Sequence, residues 1–417
     1  MLVRLSALLL LVATVGIVPA VATAQVIPDQ YIVVLRDNTP RALDVAQDLA
    51  RRHRIGVLDV YEHALKGFSA TIPAAVRSAI ERDTRVQFLS EDRVMVAFQQ
   101  TIPTGINRIN AENKTNTGDG INVAVLDTGI DPTHQDLEAN IVGGKSCIGS
   151  PSTRDLNGHG SHVSGTIAAI DNGNGVVGVA PGAKLWAVQV LNFLGSGTTS
   201  TVICGIDFVD SKSPAKGGPI VVANMSLGGG GSDDGNCGNT NNDAMHKAIC
   251  QAVADGVTFV VAAGNSGADL SGFTPAAYNE VIAVTALGDS DGRACGQGAA
   301  TSASVDDGFA SFSNFGTGAD LNHVIAAPGV DIFSTYRLGG YQTISGTSMA
   351  SPHVAGAAAL YIANHPGATP AQVLAGLKDL GELPGVNFKS ECGEAGGASH
   401  TNTAGGHPEP VVRADDL

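Results

Sequence analysis

At 417 residues the chain is longer than one ordinary domain needs and predicts two or three folding units. Its composition, 43% hydrophobic and 15% charged with 53 glycines, is that of a soluble globular protein rich in tight loops. A net charge of −15 argues against a nucleic-acid partner, which would call for a basic surface.

The first stretch, MLVRLSALLLLVATVGIVPAVATAQ, has the parts of a secretory signal. Arg4 supplies the positive end, Leu8 to Val18 the apolar core, and Ala22-Thr23-Ala24 a small-residue cleavage site before Gln25. An uncleaved membrane anchor is the alternative. No other stretch approaches the ~20 apolar residues of a span. The mature chain, from Gln25 on, is therefore expected to be exported, free of the membrane and monomeric. Six cysteines (147, 204, 237, 250, 295 and 392) would then meet an oxidising compartment. Cys237 and Cys250 flank one loop and its following helix and make the natural local pair; the other pairings are not readable.

Residues 1–98 hold 11 Lys+Arg and 10 Asp+Glu, the rest 13 and 29, which marks a boundary near residue 98. Within 25–98, QYIVVLRD reads as a strand and ALDVAQDLARRH as an amphipathic helix. IGVLDVYEHALKGFSATI reads as two strands about a turn, AAVRSAIERD as a helix and VQFLSEDRVMV as a strand. The order βαββαβ is the ferredoxin-like pattern. About 70 residues bury only a modest core, so this unit is expected to be marginal alone.

Beyond residue 98 the apolar runs INVAVLD, KLWAVQVL, IVVANMSL, VTFVVAAG, VIAVTAL and HVIAAPG have strand length and no alternation. Helical patterns such as HGSHVSGTIAAI and DAMHKAICQAVADG lie between them. Uninterrupted apolar strands are buried on both faces, which predicts an α/β fold with a mainly parallel sheet covered by helices. Reactive groups then gather at the carboxyl ends of the strands.

Three residues stand out at such ends. Asp127 follows the run VAVL directly, where a carboxylate costs several kcal/mol unless its oxygens are satisfied; a self-capped Asp-Thr-Gly turn is the bland reading. His159 opens a helix, with His162 three residues on. The pair suits metal binding only weakly, and His159 serves better as a general base oriented by a carboxylate. Ser348, in ISGTSMASPHVAG, sits at a helix start, where free N–H groups favour a developing negative oxygen; an ordinary N-cap is the alternative. The order Asp…His…Ser is one found in Ser-His-Asp enzymes.

VLDTGID, GHGSHVSG, AAGN and SGTSMASPHVAG together resemble the four motif regions of the subtilisin-like serine proteases, in order and over about residues 25–417. The resemblance implies a secreted serine endopeptidase acting on proteins and peptides, with a signal peptide at 1–24, an inhibitory propeptide at 25–98 and a catalytic domain at 99–417. Ser348 would be the nucleophile, His159 the base, Asp127 its orienting carboxylate and Asn265 the oxyanion-hole donor, though Asn265 also reads as a plain loop residue. Ser226, Leu227 and Gly228 would pair with substrate backbone, and Phe273 would narrow the specificity pocket. The junction MVAF–QQTIPTG implies self-cleavage after Phe98, hence a taste for large apolar residues before the cut.

The resemblance also implies a structural Ca²⁺ held by Gln100, Asp136, Ile170, Asn172, Asn174 and Val176, six oxygen ligands that suit the ion; a glycine-rich turn is the alternative. Val324 replaces the aspartate of a second calcium site, which should be absent or rebuilt. Loops 229–243 and 288–309 are longer than in compact bacterial relatives. Asn113 and Asn224 fit glycosylation sequons that are expected not to matter. The rival readings are a silent binding protein on the same scaffold, and an exopeptidase or narrow processing protease whose long loops close the cleft.

Overall fold

The computed structural model describes residues 26–93, 100–112, 114–294, 296–383 and 407–417. The signal segment, the Phe98 junction, Asn113, Cys295 and Cys392 lie outside the described residues. The chain divides into two units, Met1–Ala97 and Phe98–Leu417.

The first unit runs β1 (Val26–Leu35), α1 (Ala42–His53), β2 (Gly56–Tyr61), β3 (Gly67–Thr71), α2 (Ala74–Glu81) and β4 (Val86–Arg93). Its sheet has the order β2-β3-β1-β4 with every pairing antiparallel. In α1, Ala42, Val45, Ala46 and Leu49 recur at the helical spacing and pack on Val33, Leu35, Phe68 and Ala70.

The second unit begins with α3 (Thr104–Arg108), β5 (Asn122–Asp127), β6 (Ile141–Ser146), α4 (His159–Ala168), β7 (Lys184–Gln189), α5 (Thr199–Asp210) and β8 (Ile220–Met225). It continues through β9 (Gly229–Gly230), α6 (Ala244–Ala254), β10 (Thr258–Ala262), β11 (Phe273–Thr274), β12 (Ile282–Leu287) and β13 (Val324–Pro328). A hairpin of β14 (Ile332–Tyr336) and β15 (Gly340–Ile344), then α7 (Thr347–Asn364) and α8 (Pro370–Asp379), complete it.

Seven strands pair in parallel in the order β13-β12-β10-β8-β5-β7-β6. This is the expected α/β architecture, and all six apolar runs are strands of it. The seventh, IVGGKS of β6, carries no such signal because this edge of the sheet is only partly covered, whereas the opposite edge, β13, is fully buried. In β5, Val123 and Val125 enter the core shared with α4 and α7, while Ala124 and Leu126 enter the one shared with α5 and α6. Burial on both faces is why these strands do not alternate. The chain leaves β5 for β6 and β7 on one side and then crosses to β8 on the other. That reversal opens a crevice at the carboxyl ends of β5 and β8.

Cys237 pairs with Cys250, as expected, and Cys147 pairs with Cys204. Among the described residues no helix is long and apolar enough to cross a membrane. Arg108, fully buried in α3, donates through Nε to Asp307 at 2.5 Å and through Nη1 and Nη2 to Glu382 at 2.8 and 3.0 Å. Arg413, in a final segment that bonds to Ala326 of β13 through Pro410 and Val412, lies 3.7 Å from Glu382.

Candidate active site

β5 ends at Asp127, which is wholly buried. His159, the first residue of α4, donates its Nδ1–H to both Asp127 oxygens, at 2.8 and 2.9 Å. That fixes the tautomer and leaves Nε2 as an acceptor. A loop carboxylate that the sequence reading missed, Asp155, seats the helix. It accepts from the backbone of Asn157, Gly158 and Ser161, and from the hydroxyls of Thr128 and Ser161. The signal was present in DLNG, an aspartate poised just ahead of a helix. α4 approaches β5 so closely that a Cβ on Gly160 would overlap the Gly129 carbonyl oxygen, so glycine is required there. Burial works against charging His159, but the Asp127 carboxylate and its hydrogen bond, with help from Asp155, outweigh it and raise the pKa above 6.5.

His162 does not join His159 at a metal. Its Nε2–H serves the Ile332 and Gln342 carbonyls at 3.0 and 3.1 Å, and burial lowers its pKa to about 3. Among the described residues neither histidine belongs to a group able to hold an ion.

Ser348 is the second residue of α7, and Gly346 occupies the N-cap position, so the N-cap reading of this serine fails. Four residues on, Pro352 has no N–H, which leaves the Ser348 carbonyl without its helical partner. The Ser226 hydroxyl fills that gap at 2.8 Å, and it accepts in turn from the Asn224 amide at 3.0 Å. Asn224 also takes the Ser351 hydroxyl at 2.8 Å, so its sequon is buried and fully engaged. This chain of bonds ties the first turn of α7 to the end of β8. The Ser348 hydroxyl itself donates to the Ser226 carbonyl at 3.2 Å, and no hydrogen bond joins it to His159.

Asn265 follows β10. Its Oδ1 accepts from the Thr347 N–H at 2.8 Å and the Thr347 hydroxyl at 2.9 Å. The side chain's remaining capacity is its Nδ2 donors. The space that a Cβ on Gly346 would occupy lies 3.4 Å from Asn265 Nδ2 and 3.7 Å from the Ser348 amide nitrogen. Two N–H groups therefore flank one open spot, kept open by the missing side chain.

A cavity of about 270 Å³ adjoins this spot, lined by Leu227–Gly230, Ala262–Ser266, Phe273 and Ser348 among others, with no charged side chain in its wall. A second, of about 480 Å³, is lined by His159, Leu191, Ser226–Gly230 and Met245 among others. Leu227 and Gly228 face both cavities, and Ser226 faces the larger.

The pattern of the Subtilase family matches residues 118–382. An alkaline protease of Shouchella clausii is 41% identical over 72% of this chain and 70% of its own length. Subtilisin Savinase of Lederbergia lenta is 42% identical over 67% of this chain and 91% of its own. A crystal structure of a cold adapted subtilisin-like serine proteinase aligns with TM-score 0.58 at 33% identity, covering 75% of this chain and 97% of that one. The chain belongs to the Subtilase family.

This subtilase is a serine-type peptidase, and the crevice just described is where its chemistry-bearing groups meet. Subtilases generally bind structural calcium, and the residues here fit such an ion. Asp136 Oδ2 accepts from the Val176 N–H and the Tyr341 hydroxyl, both at 2.9 Å, but its Oδ1 is buried without a partner. The Ile170 and Val176 carbonyls converge on the Gln100 side chain at 3.0 and 3.4 Å. The Asn172 side-chain oxygen accepts from the Asn174 N–H at 2.8 Å. Gly175, at φ +60°, lets the loop wrap the Asp136 carboxylate with no Cβ in the way. An orphaned carboxylate oxygen beside converging carbonyls is the donor set of an oxygen-loving cation.

Proposed function

We propose that this subtilase is a secreted endopeptidase made as a precursor, with residues 25–98 as an inhibitory propeptide and 99–417 as the catalytic domain. The observation that carries the reading is the convergence on one crevice of the Asp127–His159 pair, Ser348, two free N–H donors and an uncharged cavity. Ser348 Oγ swings from the Ser226 carbonyl toward His159, attacks the scissile carbonyl and passes its proton to His159 Nε2. Asp127 stabilises the imidazolium. Asn265 Nδ2 and the Ser348 N–H hold the oxyanion. Collapse expels the amine with the proton from His159 and leaves an acyl group on Ser348, which water hydrolyses with His159 again as base. Ser226, Leu227 and Gly228 present backbone for an extended substrate, which favours internal cleavage of open chains. The uncharged wall supports large apolar residues before the cut, since a basic side chain there would be buried unpaired. Cleavage after Phe98 would place such a residue in the cavity.

The test is labelling with a serine-reactive fluorophosphonate, followed by peptide mapping and digestion of casein. Label on Ser348 with many internal cuts, mostly after large apolar residues, is the expected result. An unlabelled Ser348, or cuts mainly after Arg and Lys, would overturn the mechanism or the preference respectively.

Two further outcomes concern the crevice. Asn265→Ala should lower kcat by about 10²–10³, the scale known for the oxyanion asparagine of subtilisin, with little change in KM. Because His159 must be neutral to act as base and its pKa is raised, kcat/KM should rise with pH along a limb whose midpoint lies above 6.5. A midpoint below 6.5 would mean that Asp127 does not hold the ring as its geometry implies.

We propose further that Gln100, Asp136, Ile170, Asn172, Asn174 and Val176 hold a Ca²⁺. The ion would neutralise Asp136 and staple the loop after α4. At free Ca²⁺ a hundredfold above Kd the gain is about 2.7 kcal/mol. Scanning calorimetry should show a melting temperature that rises with Ca²⁺, and Asp136→Asn should abolish most of that rise. Equal melting with chelator and with millimolar Ca²⁺ would sink the assignment.

A further inference from the structure

Loop 229–243 and α6 carry a second cluster that the peptidase mechanism does not use. His246 is fully buried and stacked on Tyr278, with ring centroids 4.0 Å apart and planes 2° off parallel. Its Nε2–H donates to Glu280 Oε2 at 2.9 Å. In the neutral ring that bond places the lone pair on Nδ1. Nδ1 has no hydrogen-bond partner. Facing it are Asp233 Oδ1 and Asp234 Oδ1, each at 3.5 Å. A lone pair aimed at two carboxylate oxygens is repulsive unless a positive charge stands among them.

The spacing fits a metal ion. Ligands 2.0–2.2 Å from a tetrahedral ion lie roughly 3.3–3.6 Å apart, and both nitrogen–oxygen distances here are 3.5 Å. The surroundings hold each donor in place. Asp234 accepts four backbone N–H groups, from Asn236 and Gly238 on Oδ1 and from Thr240 and Asn241 on Oδ2, so its Oδ1 reaches an ion only as a third contact. Asp233 accepts the Gly235 N–H and the Asn279 amide. Asp243 caps α6 with one oxygen and takes the Tyr278 hydroxyl with the other at 2.5 Å. The Cys237–Cys250 disulfide bolts the loop to α6 one turn past His246 and removes both sulfurs from the donor set.

We propose that His246 Nδ1, Asp233 Oδ1 and Asp234 Oδ1 bind a divalent ion of the Zn²⁺ class, with Glu280 orienting the histidine and water completing the shell. One imidazole nitrogen among carboxylates suits Zn²⁺ better than Ca²⁺, which takes oxygen ligands throughout. Met245 and Gly229–Gly230, in or beside the clamped elements, line the 480 Å³ cavity, so the ion stiffens one wall of the substrate cleft. The competing arrangement is the same cluster of His246 and three carboxylates without a metal.

The experiment uses full-length Ser348→Ala protein, which cannot digest itself, saturated with Ca²⁺ and freed of transition metals. Zn²⁺ is titrated calorimetrically and Co²⁺ is added as a visible-absorption probe. The expected result is one tight Zn²⁺ per chain and Co²⁺ bands of four-coordinate intensity, with affinity at least tenfold weaker after Asp233→Asn or His246→Gln. If His246→Gln fails to fold, the partly exposed Asp233 decides alone. No tight Zn²⁺, or binding unchanged by Asp233→Asn, would overturn the site.

Discussion

Replacing Ser348 with alanine should lower kcat by about 10⁶, the scale measured when the nucleophile of subtilisin is removed. The reason lies in the geometry of one turn. Among the groups lining the crevice, Ser348 combines a hydroxyl with the two N–H donors, its own and that of Asn265, that are proposed to hold the oxyanion. The alanine variant keeps those donors and the cavity, so a residual rate above water should persist, and KM should barely move. The fold should also persist, because the bond that anchors α7 is the Ser226 hydroxyl on the Ser348 carbonyl, which alanine retains. If the precursor matures itself, the wild type should begin at Gln99 while the variant keeps its first unit uncut. Intact mass and N-terminal analysis of the two proteins side by side would show it. Equal trimming of both would assign maturation to another protease, and an active variant would remove Ser348 from the mechanism.

Glu382→Ala should destabilise the second unit by about 3–5 kcal/mol, the scale for breaking a buried ion pair from one side. Glu382 has no solvent exposure and faces the fully buried Arg108 with two hydrogen bonds, with Arg413 at 3.7 Å. Removing the carboxylate takes from the buried Arg108 two of its hydrogen bonds and from Arg413 a nearby negative charge, while Asp307 stays on Arg108 and Asp415 on Arg413 at 2.7 Å. Burial already raises the Asp307 carboxyl to about 6 against the pull of Arg108, so it is a strained counter-ion. Denaturant unfolding in the Ser348→Ala background with saturating Ca²⁺ measures the loss free of autolysis. A loss under 1 kcal/mol would show that water or Asp307 compensates the arginines. Glu382→Gln, which keeps the shape and an acceptor, should cost less.

Much of the site was legible because its residues sit in local contexts with one physical meaning. Asp127 ends an apolar run, His159 opens a helix and Ser348 sits in a helix's first turn, so the chain order of three chemistries could be read directly. The parallel sheet was legible for a similar reason: strands buried on both faces need unbroken apolar sequence. β6 carries no such signal because its edge of the sheet is half-exposed, unlike β13 at the other edge. Asp155 was overlooked although DLNG announces it, since an aspartate before a helix is as common in idle turns.

Other features depend on residues far apart in sequence, and only the tertiary structure decided them. Pro352 orphans the Ser348 carbonyl locally, but that Ser226, 122 residues away, would satisfy it is a matter of where β8 ends. The turning of the Asn265 oxygen onto Thr347, which leaves its nitrogen free, follows from the packing of the β10 loop on α7. Cys147–Cys204, the Arg108–Glu382 pair and the meeting of Asp233, Asp234, His246 and Glu280 have the same origin. Periodicity, caps and turn chemistry act within a few residues, so the sequence by itself determined the elements and the groups at their ends. Hydrogen bonds and charges act over a few ångströms without regard to chain separation, so their partners were settled only when the sheet brought those ends together.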